Sequence, residues 1–336
     1  MGLKIISAGL LTTVQDLGRY GFQKEGVIVS GAMDAFALRV GNLLVGNAEG
    51  AAGIEATFFG PKIRFEADHL VAITGGDLSP TLNGERVKMW RPIYVSKGSQ
   101  LEFGPPSLGC RAYVAVSGSF DIPKVMGSLS TYLRAEFGGL KGRALKAGDL
   151  IAAPGPTARG RLLLQHLTPP PGRGAWVQAR WTPDPQLLPQ LAVHPTIRAI
   201  KGPEYDWFME KSHHEFWHQE FVVTSDSDRM GYRLHGPALT LKAEKELISS
   251  AVAFGTIQVP ADGYPIALLA DHQTTGGYPR LAQAITADFS KLAQVPLGKK
   301  IRFQEVSLEE AQYLYIRQEQ DIDQIKRSMT MKMCAL

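Results

Sequence analysis

Apolar positions along the chain come in short runs bounded by Gly, Pro, Asn or Asp. The clearest runs are 3–7, 70–74, 92–95, 111–116, 221–224 and 266–269. Runs of about five residues between turn formers predict strands, and Asn83-Gly84 between two such runs predicts a hairpin turn. Helical spacing is rarer. Phe36, Val40, Leu43 and Leu44 share one helical face, and Gly46-Asn47 supplies a stop. A second helix is expected after Ser307, where Glu310 three residues on completes a capping box, and it should reach about residue 327. A shorter helix is expected over 205–211.

Several of the apolar words recur. Residues 27–30 echo 221–225, 54–60 echo 249–255, and 70–73 echo 265–268; Ser30 to Ser225, Phe59 to Phe254, Gly60 to Gly255 and Ala72 to Ala267 share an offset of 195 positions. Past a short insertion, Gly98, Leu101 and Phe103 match Gly298, Ile301 and Phe303, and Ser107, Leu108 and Tyr113 match Ser307, Leu308 and Tyr313. Equal spacing implies two lobes built on one strand order. Between them lies a proline-rich stretch that includes Pro169-Pro170-Pro171, read as a linker because proline removes backbone donors and fixes φ. The expected division is therefore a first lobe over 1–151, a linker over 152–195 and a second lobe over 196–336.

Composition refines this picture. A chain of 336 residues with 44% hydrophobic and 20% charged residues is globular rather than disordered, and its length fits two domains. The net charge of +4 is mild and spread out, which permits a local anion site but predicts no nucleic-acid surface. Cys110 and Cys334 form no CxxC pair, so no zinc site or disulfide framework is expected, and a reducing compartment is the natural reading. The start of the chain is too polar for a signal peptide, and no apolar run is long enough for a membrane span. A cytoplasmic location is expected.

Five segments concentrate groups that can do chemistry. Asp16 and Arg19 stand three apart after a strand; Asp16 can orient Arg19 to grip an anion, or the two can simply close a loop as an ion pair. Ser30-Gly31-Ala32-Met33-Asp34 leads into the first helix and reads as a cap by Ser30 or Asp34. Ser128, Ser130, Thr131 and Arg134 form a hydroxyl-rich stretch ending in arginine, followed by a glycine-rich basic run; this suits a phosphate or carboxylate, although the P-loop spacing is absent. Arg229 and Arg233 lie four apart in a polar loop. In the fifth, a strand delivers Asp271, His272, Gln273, Thr274 and Thr275 into a glycine turn; Asp271 suits a base or orienting group and Gln273 suits hydrogen bonding to an amide, against the plainer reading of a satisfied hairpin turn. Glu55, Glu246 and Gln258 are lesser candidates. His213, His214 and His218 lack a carboxylate partner in motif spacing and read as surface residues, so no metal is expected.

Four of these stretches occur in an order that resembles a known family: TTVQDLGR at 12–19, SGAMD at 30–34, SDRMGYRL at 227–234 and QTTGGYP at 273–279. GSLSTYLRAEFGG at 127–139 and GTIQVPADGYPI at 255–266 extend the likeness, which runs from residue 3 to about 312. The chain resembles the allophanate hydrolase subunit 2 family, which includes KipA-type proteins, the C subunit of 5-oxoprolinase and the carboxyltransferase domain of urea carboxylase. That resemblance implies a mainly β fold of two cyclophilin-like barrel lobes related by internal duplication, with a few helices. It implies two partners, a KipI-type B subunit and a third, A-type subunit. It also implies ATP as a cosubstrate bound with the partner, no covalent cofactor, and opening of 5-oxo-L-proline to L-glutamate. Asp271, Gln273 and Arg229 are the expected catalytic groups. Asp16, Arg19, Ser128, Ser130, Thr131, Arg134, Arg233, Thr274 and Thr275 are the expected substrate-binding groups, with the arginines holding anionic charge in a cleft between the lobes. Two alternatives stay open: a biotin-dependent carboxyltransferase of the urea type and a KipA-type antagonist of a kinase inhibitor. Met331-Lys332-Met333 has the look of a biotin acceptor but lacks the surrounding carrier fold.

Overall fold

The computed structural model describes residues 2–170, 174–243 and 245–334. The chain forms two compact units. The first comprises 1–18, 34–189 and 320–336; the second comprises 19–33 and 190–319.

The first unit contains two six-stranded sheets. One runs Leu150–Ala152, Gly2–Ser7, Lys62–Phe65, Gln100–Glu102, Thr81–Leu82, Glu85–Arg86; the other runs Trp176–Gln178, Pro92–Val95, His69–Asp77, Leu108–Val116, Gly53–Thr57, Leu11–Gln15. One apolar cluster joins them. Leu3, Ile5, Ile63, Phe65 and Leu101 come from the first sheet, and Val14, Ile54, Val71, Ile73, Ile93 and Val114 from the second. Alternate residues of each strand point the same way, so this core accounts for only one face of the second sheet. The hairpin expected at Asn83-Gly84 is present. Both residues take positive φ, 51° and 84°, as a tight turn between paired strands requires.

Helix Ala35–Leu44 forms where its apolar spacing places it. The carboxylate of Asp34, not Ser30, caps it by accepting from Ala37 N at 3.0 Å. Phe36, Val40, Leu43 and Leu44 join a second cluster with Leu70, Ala72 and Ala115.

The second unit is a closed barrel of seven strands, in the order Thr196–Lys201, Arg280–Ala284, Thr256–Gln258, Ile266–Leu268, Gly231–His235, Phe221–Val223, Lys300–Glu305. A parallel pairing of the first and last strands closes the ring. Its interior holds Ile197, Phe221, Val223, Tyr232, Ile257, Leu281, Ile301 and Phe303, with Phe216 of helix Glu210–His218 stacked on Phe303 at 4.6 Å between centroids.

The chain is mainly β, but four local expectations change. The stretch 152–195 carries a helix, Ala158–Leu167, capped by Thr157, with Leu163 fully buried, and a strand, Trp176–Gln178, paired to Pro92–Val95. Its prolines lie beside these elements and break neither; Pro171 falls outside the described residues. The echo of 107–113 in 307–313 joins unlike structures, because Leu108–Val116 is a strand and Leu308–Cys334 is a helix. Strand neighbours also differ: Lys62–Phe65 pairs with Gly2–Ser7 and Gln100–Glu102, whereas Thr256–Gln258 pairs with Ile266–Leu268 and Arg280–Ala284. Third, His213 is buried rather than on the surface. Its ring stacks on Tyr205 at 3.9 Å, and Nε2 lies 2.8 Å from the Tyr205 carbonyl, which only accepts. The expected helix over 205–211 divides into a single turn, Tyr205–Trp207, and helix Glu210–His218.

Candidate functional site

Two polar constellations are built from the segments that the sequence marks, one in each unit.

In the second unit, Asp271 follows the strand Ile266–Leu268 and is 5% exposed. Arg229 Nε donates to its Oδ2 at 2.9 Å and Arg229 Nη2 to its Oδ1 at 3.1 Å, a two-point grip. Ser30 Oγ donates to Oδ1 at 2.7 Å. Arg229 Nη2 also donates to the Gly31 carbonyl at 2.6 Å, and the backbone bond from Asp271 N to Arg229 O, at 2.8 Å, locks the two loops together. Ser30 reaches this position with φ at 57°, followed by Gly31 at 94°. A serine in the left-handed region is strained, and such strain persists where surroundings hold it in place. Arg229 thus already holds an anion, the carboxylate of Asp271.

Gln273 donates to Gln258 Oε1 at 3.2 Å, and Gln258 donates in turn to the Tyr278 carbonyl at 3.3 Å. Gly276 lies against this relay; any Cβ there would collide with the Gln258 amide. Next to Asp271, burial lowers the basicity of His272 below the usual histidine value, and this outweighs the opposing hydrogen bond to the Gln273 carbonyl. Its ring is therefore neutral at pH 7. Thr275 is exposed on the short strand Thr275–Gly276, and the Thr274 carbonyl accepts from Val252 N. Arg233 is exposed on the barrel strand Gly231–His235. Arg19 is buried at 1% exposure, with its backbone N–H donated to Val29 O.

In the first unit, Asp16 and the 128–131 loop meet. The Asp16 carboxylate accepts from Ser128 Oγ at 2.7 Å, Leu129 N at 2.6 Å, Ser130 Oγ at 2.5 Å and Gly18 N at 2.8 Å. Thr131 Oγ1 donates to the Val14 carbonyl. The hydroxyls that the sequence offers to a substrate therefore bind this chain's own carboxylate and backbone. Arg134, beyond them, is exposed.

The strands beside Asp16 carry groups that sequence reasoning ranked low or missed. Thr13, Glu55 and Tyr113 lie directly opposite one another across three strands, with Gln15 two residues along. Tyr113 Oη donates to Glu55 Oε2 at 2.8 Å and accepts from Asp34 N at 2.8 Å. Burial, then the charges of Glu55 and Asp34, hold the phenol well above its usual range, so it remains a proton donor. Glu55 is only a lesser candidate in the sequence, and the sheet pairing is what sets it, buried, beside Tyr113.

Among the described residues, no group of three or more His, Cys, Asp or Glu is arranged to hold a metal ion. Among the same residues, no helix is long and apolar enough to cross a membrane. Residues 25–305 match the model of the carboxyltransferase domain, subdomain A and B. The chain belongs to this carboxyltransferase family. Among curated relatives, the 5-oxoprolinase C subunit of Escherichia coli is 42% identical over 95% of each chain, and that of Haemophilus influenzae is 38% identical over 97% of this chain and 98% of the relative. The urea amidolyase of Saccharomyces cerevisiae is 32% identical, and this chain spans 17% of its length. Among solved structures, the urea amidolyase of K. lactis superposes with a TM-score of 0.86 at 29% identity, covering 96% of this chain and 20% of that one. The carboxyltransferase domain is thus found both as a separate chain of this length and as one part of larger proteins.

Proposed function

We propose that this chain is the C subunit of an ATP-dependent 5-oxoprolinase, acting in the cytoplasm with a KipI-type B subunit and a third, A-type subunit to convert 5-oxo-L-proline to L-glutamate. The observation that carries this reading is likeness along nearly the whole length, at 38% and 42% identity, to two bacterial proteins of that name. Opening an unstrained lactam requires the amide to be activated. Transfer of the ATP γ-phosphoryl group to its oxygen, with ADP leaving, achieves this; water then adds at the carbon, the C–N bond breaks to give an amine and an acyl phosphate, and a second water releases phosphate and leaves the carboxylate. The protein's task is to orient the amide and stabilise developing charge. In this reading Asp271, held by Arg229 and Ser30, and Gln273, held by Gln258, orient substrate, while the exposed Arg233 meets phosphate or carboxylate. The test is glutamate formation by this chain with its two partner subunits, ATP and 5-oxoproline, omitting each component in turn. Activity that requires this chain supports the reading; no activity from an assembled complex removes it.

A urea-type carboxyltransferase is the second reading, favoured by the superposition on urea amidolyase. It needs biotin from elsewhere. Lys332 lies on the helix Leu308–Cys334 between exposed Met331 and buried Met333, with its ammonium 5.2 Å from the centre of the Trp181 ring. A helical lysine against an aromatic ring lacks the projecting presentation that an acceptor lysine needs. A streptavidin blot and a urea-carboxylation assay with an added biotin carrier separate the two readings.

A further inference from the structure

In the second unit, the backbone at His272 is pinned. Asp271 N donates to the Arg229 carbonyl at 2.8 Å, and His272 N donates to the Leu269 carbonyl at 3.1 Å. The ring is pinned too, with Nδ1 2.6 Å from the Gln273 carbonyl. A carbonyl oxygen only accepts, so Nδ1 carries the proton, and in the neutral ring Nε2 carries the lone pair. The neighbouring Asp271 carboxylate is engaged by Arg229 and Ser30, and the Gln273 amide by Gln258. Nε2 is not engaged. Among the described residues nothing hydrogen-bonds it, and it is not one of the polar atoms sealed from solvent, so solvent reaches the lone pair although the ring as a whole is 9% exposed. The chain then runs outward, through half-buried Gln273 and Thr274 to exposed Thr275. Burial keeps the ring below the usual histidine basicity, against the bond to Gln273 and the charge of Asp271, which is itself held by Arg229. A fixed, neutral imidazole with one open nitrogen is what a proton carrier requires.

We propose that His272 is a catalytic residue, its Nε2 taking a proton from the water that adds to the activated amide carbon and delivering it to the nitrogen that departs. The proposal rests on the 5-oxoprolinase reading above. As the water oxygen bonds to carbon, one of its protons passes to Nε2. As the C–N bond breaks, that proton passes to nitrogen, and the second follows by the same route from the new hydroxyl, whose oxygen becomes the acyl oxygen. The nitrogen of the phosphorylated amide carries one proton and gains two, so it leaves as an ammonium group, and the imidazole ends neutral as it began. Asp271 favours the imidazolium that forms between these transfers.

The experiment compares wild type, His272→Asn and His272→Ala, each assembled with its partner subunits. Glutamate formation from 5-oxoproline and ATP is followed across the range in which histidine titrates, with melting temperature in parallel. Asparagine keeps a donor where Nδ1 stands and removes Nε2. The expected result is a kcat lower by about a hundredfold or more in His272→Asn, with KM little changed. Added imidazole should restore part of kcat in His272→Ala, which a merely structural ring would not allow. Wild-type kcat should be level above about pH 6.5 and fall at lower pH as Nε2 is protonated, and His272→Asn should lose that fall. A smaller loss in a folded His272→Asn, or an acid limb that survives there with no response to imidazole in His272→Ala, overturns the proposal and leaves the oxoprolinase reading standing. No glutamate from the assembled wild-type complex removes both. If neither variant folds, nitrogen NMR of the wild-type chain labelled at histidine decides. The titration of His272 must then match the acid limb of kcat, and Nδ1 must hold the proton above it; a mismatch in either overturns the proposal.

Discussion

At the scale of single residues, the decisive pair is Arg229 and Asp271, with side chains 5% and 6% exposed. Removing one partner of a buried pair strands the other, whereas replacing both with apolar groups of similar volume is often neutral. Arg229→Ala should therefore destabilise the second unit by roughly 3–5 kcal/mol, and the double change Arg229→Met with Asp271→Leu should recover most of that in urea denaturation. If the pair also orients substrate, activity stays lost in the double variant although the fold returns; recovered activity would make the pair purely structural. Ser30 offers a second contrast. Its hydroxyl bonds a buried carboxylate, worth about 1.5–3 kcal/mol, while its backbone φ of 57° is costly for any residue with a Cβ. Ser30→Ala loses the bond and keeps the strain; Ser30→Gly loses the bond and relieves the strain. The glycine variant should be the more stable by roughly 1 kcal/mol, and an alanine variant of equal or greater stability would show that the backbone there is not strained.

At the scale of elements, Asp16 acts as the core of a loop. Four donors from 18 and 128–130 converge on one carboxylate, and bonds to a charged acceptor are about twice as strong as neutral ones. Asp16→Asn keeps the shape but removes the charge and one acceptor oxygen, so it should cost roughly 2–4 kcal/mol. Limited proteolysis should then cut within 125–142 while the barrel strands stay protected; an unchanged cleavage pattern would mean that the loop holds by its other contacts. The same loop shows what the chain's pattern reveals and what it hides. Strand starts such as 3–7 and 92–95, the helix after Asp34 and the turn at Asn83-Gly84 are local, set by period, caps and φ preferences, and they are legible in sequence. Asp16 and Ser130 are adjacent only through folding, so sequence showed two hydroxyl- and charge-bearing words without showing that each satisfies the other. Asp271 and Arg229 stood out as polar groups for the same reason, yet their pairing, and Ser30 as their third member, required the barrel. The repeat misled past residue 303 because short apolar words carry no record of whether they will pair in a sheet or wind into a helix.

At the scale of the whole molecule, stability should fall in two stages on acidification. Burial lowers the pKa of His272 and of His69 below the ordinary value of 6.5, against weaker opposing hydrogen bonds. A group whose folded pKa is depressed takes up protons more readily when unfolded. Stability from these histidines is therefore complete above about pH 6.5 and declines as pH falls through the interval down to their folded values. The carboxylates act later. Burial pushes Asp288 upward, but Arg198 and Lys291 together outweigh it, and Arg280 does the same for Glu204, leaving both below their ordinary values of 3.8 and 4.5. Their contribution is present above those values and is lost only as pH falls below them. Asp288 is completely buried, with Arg198 donating from Nε at 2.9 Å and Nη2 at 2.7 Å, so its protonation removes a two-point ion pair inside the second unit. Melting temperature should thus be level above pH 7, decline gently from about pH 6.5, and drop steeply below about pH 4. His69→Leu should flatten the gentle limb in part without moving the steep one, because His69 Nε2 is buried without a hydrogen-bond partner. Asp288→Asn should lower the plateau and weaken the steep limb, because the charge lost there is already absent. A single acid transition unchanged by either substitution would mean that neither group changes its proton affinity enough on folding to govern the acid response.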